Sequence, residues 1–374
     1  MRARSTGVLG ALALGLIGCP ASAPAPDPTP EEPPTFSAET SEALRVALGR
    51  ARVNPVGNAV APPGATAAVI APDGRIWTGA AGFSDDGAAL EMDPADLLRI
   101  GSITKTWVAA ATLRVIGDDA LSLDDTVDGW FPDIPHADVM TVRDLLAHTS
   151  GIPSYTDITE FLEGGFTDPV EHEQIVDWSV AHGPDFAPGD AFAYSNTNYY
   201  VLGLILEDVT GREAHEALWD LYATAGQRGT FMEGEEEGTF APVRGYLDGL
   251  DVTTRVDPSW TWTSGGLVAP AEDVARWMAA LVDGRVLGEE LTALQQTETQ
   301  APTGPAGYGL GMYVVDRGWG LMRGHTGSTM GFQSDCFVHA GSGVVVATQA
   351  NDFLSEASDL SDALWAALEE VGEL

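Results

Sequence analysis

Apolar residues along this chain alternate between a helical period and a strand period. Over residues 38–52, AETSEALRVALGRAR, the positions Leu44, Val46, Ala47 and Leu48 keep helical spacing. Ala65-Thr66-Ala67-Ala68-Val69-Ile70-Ala71 is a short apolar run of strand character. Pro72-Asp73-Gly74 then makes a turn, and Arg75-Ile76-Trp77-Thr78-Gly79 returns as a second strand. After Ser102 the run TKTWVAAATLRVI predicts a buried helix. Thr141, with Asp144 three residues later, has the pattern of an N-cap for a helix near 141–148, and Gly151 follows its end. Residues 170–181 and 197–209 also read as helices, and Pro270-Ala271-Glu272-Asp273 opens another. The middle of the chain is therefore helix-rich. Strand signals return at Tyr308–Val315, Gly331–His339 and Gly343–Thr348, and Gly324-His325-Thr326-Gly327-Ser328 enters a strand. A last helix is expected from about Ser358 to Leu368. There is no internal repeat and no transmembrane span.

The N-terminus departs from this pattern. Met1-Arg2-Ala3-Arg4 and the apolar run Gly7–Gly18 form a charged segment and a hydrophobic segment too short to span a bilayer. The run ends in Leu16-Ile17-Gly18-Cys19, which resembles a bacterial lipoprotein box. We therefore expect a signal peptide over 1–18 and a lipidated Cys19. A proline-rich tether is expected over 19–37, and one folded domain over 38–374. Such a protein would sit in the bacterial cell envelope, facing the periplasm or exterior. The other cysteine is Cys336, so acylation of Cys19 would leave no intramolecular disulfide.

Composition narrows the partners. Hydrophobic residues make up 44% of the 374 and ten are tryptophan, ample for a core. A formal net charge of −37 repels nucleic acid and anionic headgroups. The acidic run Gly234-Glu235-Glu236-Glu237-Gly238 reads as a solvated loop rather than a metal site. We expect no cofactor and no metal.

Within the Lys+Arg total of 18, one residue is a lysine, Lys105, and it follows Ser102 by three positions. Residues three apart on a helical turn share a face. An arginine cannot give up its proton, whereas burial can push a lysine toward the neutral amine. Ser102 and Lys105 are thus candidates for a nucleophile and its base. A solvated surface lysine beside a chance serine is the plain alternative.

Three further features follow in order: Tyr194-Ser195-Asn196, then Ser264-Gly265-Gly266-Leu267-Val268, then His325-Thr326-Gly327. Ser-x-x-Lys, Tyr-x-Asn and His-Thr-Gly together resemble the penicillin-recognising serine hydrolases: class C β-lactamases, DD-carboxypeptidases of the Streptomyces type, and related esterases and peptidases. Leu145–Gly151 and Tyr308-Gly309-Leu310-Gly311 resemble phrases of the same family. The resemblance implies an α/β (α+β) fold, with an antiparallel sheet flanked by helices and a helical subdomain inserted at about 125–255. It implies that Ser102 forms an acyl-enzyme, with Lys105 as base and Tyr194 as proton shuttle poised by neighbouring cations. Asn196, His325, Thr326 and Gly327 would bind substrate, and the backbone N–H groups of Ser102 and Ser328 would form the oxyanion hole.

Class C β-lactamases carry lysine where this chain has His325, so the chain looks more like the carboxypeptidase and esterase branch. An ordinary histidine titrates near pH 6.5, so His325 is expected to make activity depend on pH near neutrality. His148, at a helix end, is read as structural, and Arg317 and Arg323 as surface charges, with binding of a substrate carboxylate as the alternative. The expected substrate is a D-amino-acid peptide, amide or ester, including a peptidoglycan stem peptide. The alternatives are a non-catalytic penicillin- or peptidoglycan-binding relative, or a true β-lactamase. No Gly-x-Ser-x-Gly and no His-Glu-x-x-His is present, which argues against an α/β-hydrolase elbow and a zincin.

Overall fold

The computed structural model describes residues 34–374 apart from 58, 159–160, 162–165, 237–242 and 298–305. Residues 34–374 form one unit. Cys19, the segment 1–18 and residues 19–33 lie outside the described residues. The tether boundary at 37 needs correction, because Pro34–Ser37 belong to the folded unit. Phe36 is buried beneath the Arg75 guanidinium, 4.6 Å from its ring centre. The Ile76 N–H donates to the Pro34 carbonyl at 2.9 Å. Ser37 then caps helix α1 (Ala38–Val53), its Oγ accepting from the Thr40 N–H at 3.0 Å.

Eight strands build one antiparallel sheet. They are β1 (Gly64–Ile70), β2 (Ile76–Asp85), β3 (Leu90–Glu91), β9 (Ala306–Tyr308), β10 (Tyr313–Asp316), β11 (Leu321–Thr329), β12 (Phe332–His339) and β13 (Val345–Ala350), in the order β3-β2-β1-β13-β12-β11-β10-β9. The expected strand at 308–315 is two strands, because the chain turns back through Gly309, whose N–H donates to the Met312 carbonyl at 2.8 Å. β1 is buried on both faces, which explains its unbroken apolar run. Ala65, Ala67 and Val69 face Leu44 and Leu48 of α1 and Leu364 and Trp365 of the C-terminal helix Ala357–Glu370. Ala68 faces the opposite way, into the larger core.

That larger core holds the helix-rich middle: α2 (Thr104–Gly117), α3 (Val142–Leu146), α4 (His172–Ala181), α5 (Asn196–Thr210), α6 (Ala214–Ala225), the single turn α7 (Trp262–Gly265), α8 (Ala271–Val282) and α9 (Gly288–Gln295). The C-terminal helix is then α10. The expected capping box at Thr141 and Asp144 is present at the start of α3. Trp107 of α2 stacks on Trp277 of α8 with ring centres 4.4 Å apart. A three-stranded patch ties this region together: β4 (Leu98–Arg99) and β5 (Phe231–Met232) both pair with β8 (Leu267–Ala269). The two-stranded pair β6 (Tyr246–Leu247) and β7 (Leu250–Asp251) completes the strands. No described helix is long and apolar enough to cross a membrane.

Candidate active site

Ser102 does not open α2 itself. It sits in a 3-10 turn, Gly101–Ile103, that leads into the helix. Gly101 has φ +52°, and a Cβ there would lie 2.7 Å from the Ser328 backbone nitrogen. A left-handed glycine thus lets the Ser102 turn press against β11. Gly327 does the same from the other side, since a Cβ on it would come within 2.0 Å of the Ile100 carbonyl.

The turn delivers Ser102 to Lys105. Lys105 is fully buried, and its Nζ lies 3.1 Å from Ser102 Oγ, 2.7 Å from Asn196 Oδ1 and 2.6 Å from the Ser264 carbonyl. The two carbonyl oxygens can only accept, so each takes an N–H. The remaining position faces the Ser102 hydroxyl. A neutral amine has two N–H groups and one lone pair, which matches this environment. Burial pushes the Lys105 amine well below the ordinary lysine range, toward that neutral form.

Asn196 is held in turn. Its Nδ2 donates to Thr156 Oγ1 at 3.2 Å, which fixes Oδ1 toward the lysine. Tyr194 lies beside the same lysine, with Nζ 5.0 Å from its ring centre. Its hydroxyl is buried and makes no hydrogen bond of ordinary geometry. Burial pushes this phenol well above the ordinary range, and the nearby Ser102 hydroxyl opposes that shift without overcoming it. The expectation of a tyrosine poised by cations is therefore corrected. The cation beside it, Lys105, is itself driven toward neutrality.

His148 is closer to the chemistry than a helix-end histidine suggests. It is wholly buried, at φ +59°, and its ring centre lies 4.3 Å from that of Tyr194. Its carbonyl accepts from the Ala193 N–H at 3.0 Å, and its Nδ1 accepts from the Ser195 N–H at 3.1 Å. The ring therefore carries its proton on Nε2 and clasps the chain on both sides of Tyr194. Burial holds it neutral.

His325 is also buried. Its Nδ1 lies 2.5 Å from the Thr326 carbonyl and so carries the proton, leaving Nε2 to accept from the Tyr308 hydroxyl at 3.1 Å. Burial lowers its pKa to about 3, so the expected titration near neutrality does not hold. Thr326 and Ser328 are exposed. Arg317 pairs with the buried Asp335 at 2.7 Å, which corrects its reading as a surface charge.

Ser102, Asn196 and Ser328 open onto a cavity of about 450 Å³, whereas Tyr194, His325, Thr326 and Gly327 do not line it. Larger hollows exist elsewhere, but this one is lined by Ser102. Its walls include Tyr155, Phe161, Phe166, Trp260, Met330 and Phe353, and no described lining side chain is charged. These walls and the Ser264 carbonyl were missed from sequence. The Ser-Gly-Gly phrase marked the place, but backbone carbonyls leave no residue-type signal.

Residues 54–370 match the Beta-lactamase family. Penicillin-binding protein 4 of Amycolatopsis lactamdurans is 28% identical over 313 residues, covering 77% of this chain and 81% of that one. The chain spans 45% to 61% of several other curated relatives. Among solved structures, a D-stereospecific amidohydrolase from Streptomyces sp. is 29% identical with a TM-score of 0.74, covering 87% of this chain and 97% of that one. The D-amino acid amidase from Ochrobactrum anthropi SV3, complexed with L-phenylalanine amide, shares the fold. Its TM-score is 0.80 at 24% identity, over 90% of this chain and 100% of that one. With more than half its length matched and a serine–lysine pair at its centre, the chain belongs to the beta-lactamase family of serine hydrolases.

Proposed function

We propose that this hydrolase cleaves an amide or ester of a D-amino acid with an apolar side chain, through an acyl-enzyme on Ser102. The observation that carries the reading is the buried Lys105 amine 3.1 Å from Ser102 Oγ. Lys105 takes the hydroxyl proton as Oγ bonds to the substrate carbonyl carbon. Backbone N–H groups of Ser102 and Ser328 hold the oxyanion. Tyr194, still protonated, relays a proton to the leaving nitrogen or oxygen as its bond to carbon breaks. Water then attacks the ester and frees Ser102.

The aromatic walls favour an apolar acyl side chain, and a carboxylate brought among them would be desolvated without a counter-ion. The D-stereospecificity named for the Streptomyces relative supports the choice of hand. His325, Thr326 and Gly327 then shape the β11 wall behind the nucleophile. A panel tests this: D- and L-phenylalanine amide, a D-Ala-D-Ala peptide, a chromogenic cephalosporin and a short nitrophenyl ester. D-phenylalanine amide should be cleaved in preference to its L form. Equal rates for both hands, or turnover of the cephalosporin alone, would reject the substrate class.

We infer also that Cys19 is lipidated and tethers the enzyme to the cell envelope, where a stem peptide would be within reach. The box Leu16–Cys19 and the proline-rich stretch support this. A Cys19→Ser variant should lose palmitate label and leave the membrane fraction.

A further inference from the structure

The chain has 55 acidic residues against 18 basic ones, so clustered arginines run against its composition. Three nevertheless line one cavity of about 650 Å³: Arg276 on α8, Arg285 just beyond it, and Arg323 on β11. Asp283 is the one acidic residue in that lining. Arg276 pairs with Glu272 at 2.6 Å and Arg285 with Asp283 at 2.7 Å, both partly exposed pairs of the kind that hold weakly.

Arg323 is different. Its Nε is fully buried without a hydrogen-bond partner, and no ion pair forms at its guanidinium among the described residues. It stands opposite Val338 in the ladder, and both residues line the cavity. A buried N–H without an acceptor is destabilising, and such groups are rare in native structures. Ile70, Ile76 and Val282 supply an apolar wall beside it.

We propose that this cavity binds a small organic carboxylate with a short apolar body. The planar guanidinium of Arg323 matches a carboxylate, and Arg276 and Arg285 add positive field. The apolar wall takes the body, which an inorganic oxyanion lacks. The site is separate from the Ser102 cavity, with which it shares no lining residue. Arg323 precedes Ser328 by five residues on β11, about 17 Å along an extended strand. It therefore stands independently of the hydrolase reading.

The test titrates the full chain with hexanoate, hexanamide and inorganic phosphate, following the ¹⁵Nε–H resonance of Arg323 and the melting temperature. Hexanoate should saturate, shift that resonance and raise the melting temperature, while hexanamide does neither. Phosphate should bind about tenfold more weakly or worse. Arg323→Gln should weaken hexanoate binding by about tenfold or more, and Arg285→Gln, an exposed position, by less. Ser102→Ala should bind hexanoate like wild type, whatever becomes of hydrolysis. Hexanoate binding that leaves the Arg323 resonance unmoved would overturn the proposal, and that reading needs no variant to fold. Binding of hexanamide as tight as hexanoate would overturn it too, as would phosphate binding equally well.

Discussion

Burial acts oppositely on the two groups able to take the Ser102 proton. It disfavours whichever form is charged. For Lys105 that means the amine, a competent base; for Tyr194 it means the phenol, which is not. Lys105→Arg should therefore slow acylation at least about a hundredfold, since guanidinium stays protonated. It should also melt below wild type, because the new charge cannot be shed in a site that is fully buried. Acylation measured below the melting point separates the two effects. Near wild-type acylation in a folded variant would remove Lys105 as base. For the wild type, kcat/KM should fall on the acid side as Lys105 takes up a proton, and hold toward alkaline pH.

His325 makes the complementary case. Its folded pKa of about 3 lies below the unfolded value of about 6.5. Between those values the unfolded chain binds a proton that the native chain does not, so wild type loses stability as pH falls through that window. His325→Gln should remove this loss. Its melting temperature should gain on wild type between pH 8 and pH 4.5, while the shape of its kcat/KM profile from pH 6 to 9 stays the same. A displaced limb in that profile would mean that the ring titrates during turnover.

At the scale of elements, the site depends on how closely the Gly101–Ile103 turn meets β11. Ser334 Oγ donates to the Ile100 carbonyl at 2.7 Å, and Gly327 leaves room for that carbonyl. Gly327→Ala would force turn and strand apart, because the obstruction is backbone. We expect hydrolysis to fall by about 10² or more, the scale of a 1 Å misplacement of reacting groups. Rates and melting temperature measured together check it. Full activity would show that the two elements need not touch. The clasp of His148 on residues 193–195 belongs to this scale as well. His148 at a helix end reads as structural, and only packing α3 against α5 brings its ring onto Tyr194.

For the whole molecule, a formal charge of −37 makes the folded state repel itself. Raising salt from about 0.05 to 1 M shortens the Debye length from more than 10 Å to about 3 Å. The melting temperature should rise by several degrees over that range. A flat or falling curve would show that the acidic surface is neutralised locally.

The sequence carried the Ser102–Lys105 pair and the Tyr-x-Asn segment that the structure brings together, because each depends on residue type and short spacing. It carried α1, the α3 cap and the β1–β2 hairpin for the same reason, since their periods and caps are local. It could not carry the tautomer of His325 or the state of Lys105. The tautomer needs the fold of the Thr326 carbonyl onto the ring and the Tyr308 hydroxyl on its other nitrogen, and the state of Lys105 follows from burial among distant segments such as the Ser264 carbonyl. The aromatic cavity is likewise assembled from positions 155 to 353. Desolvation and convergence are properties of the packed molecule, and no local pattern encodes them.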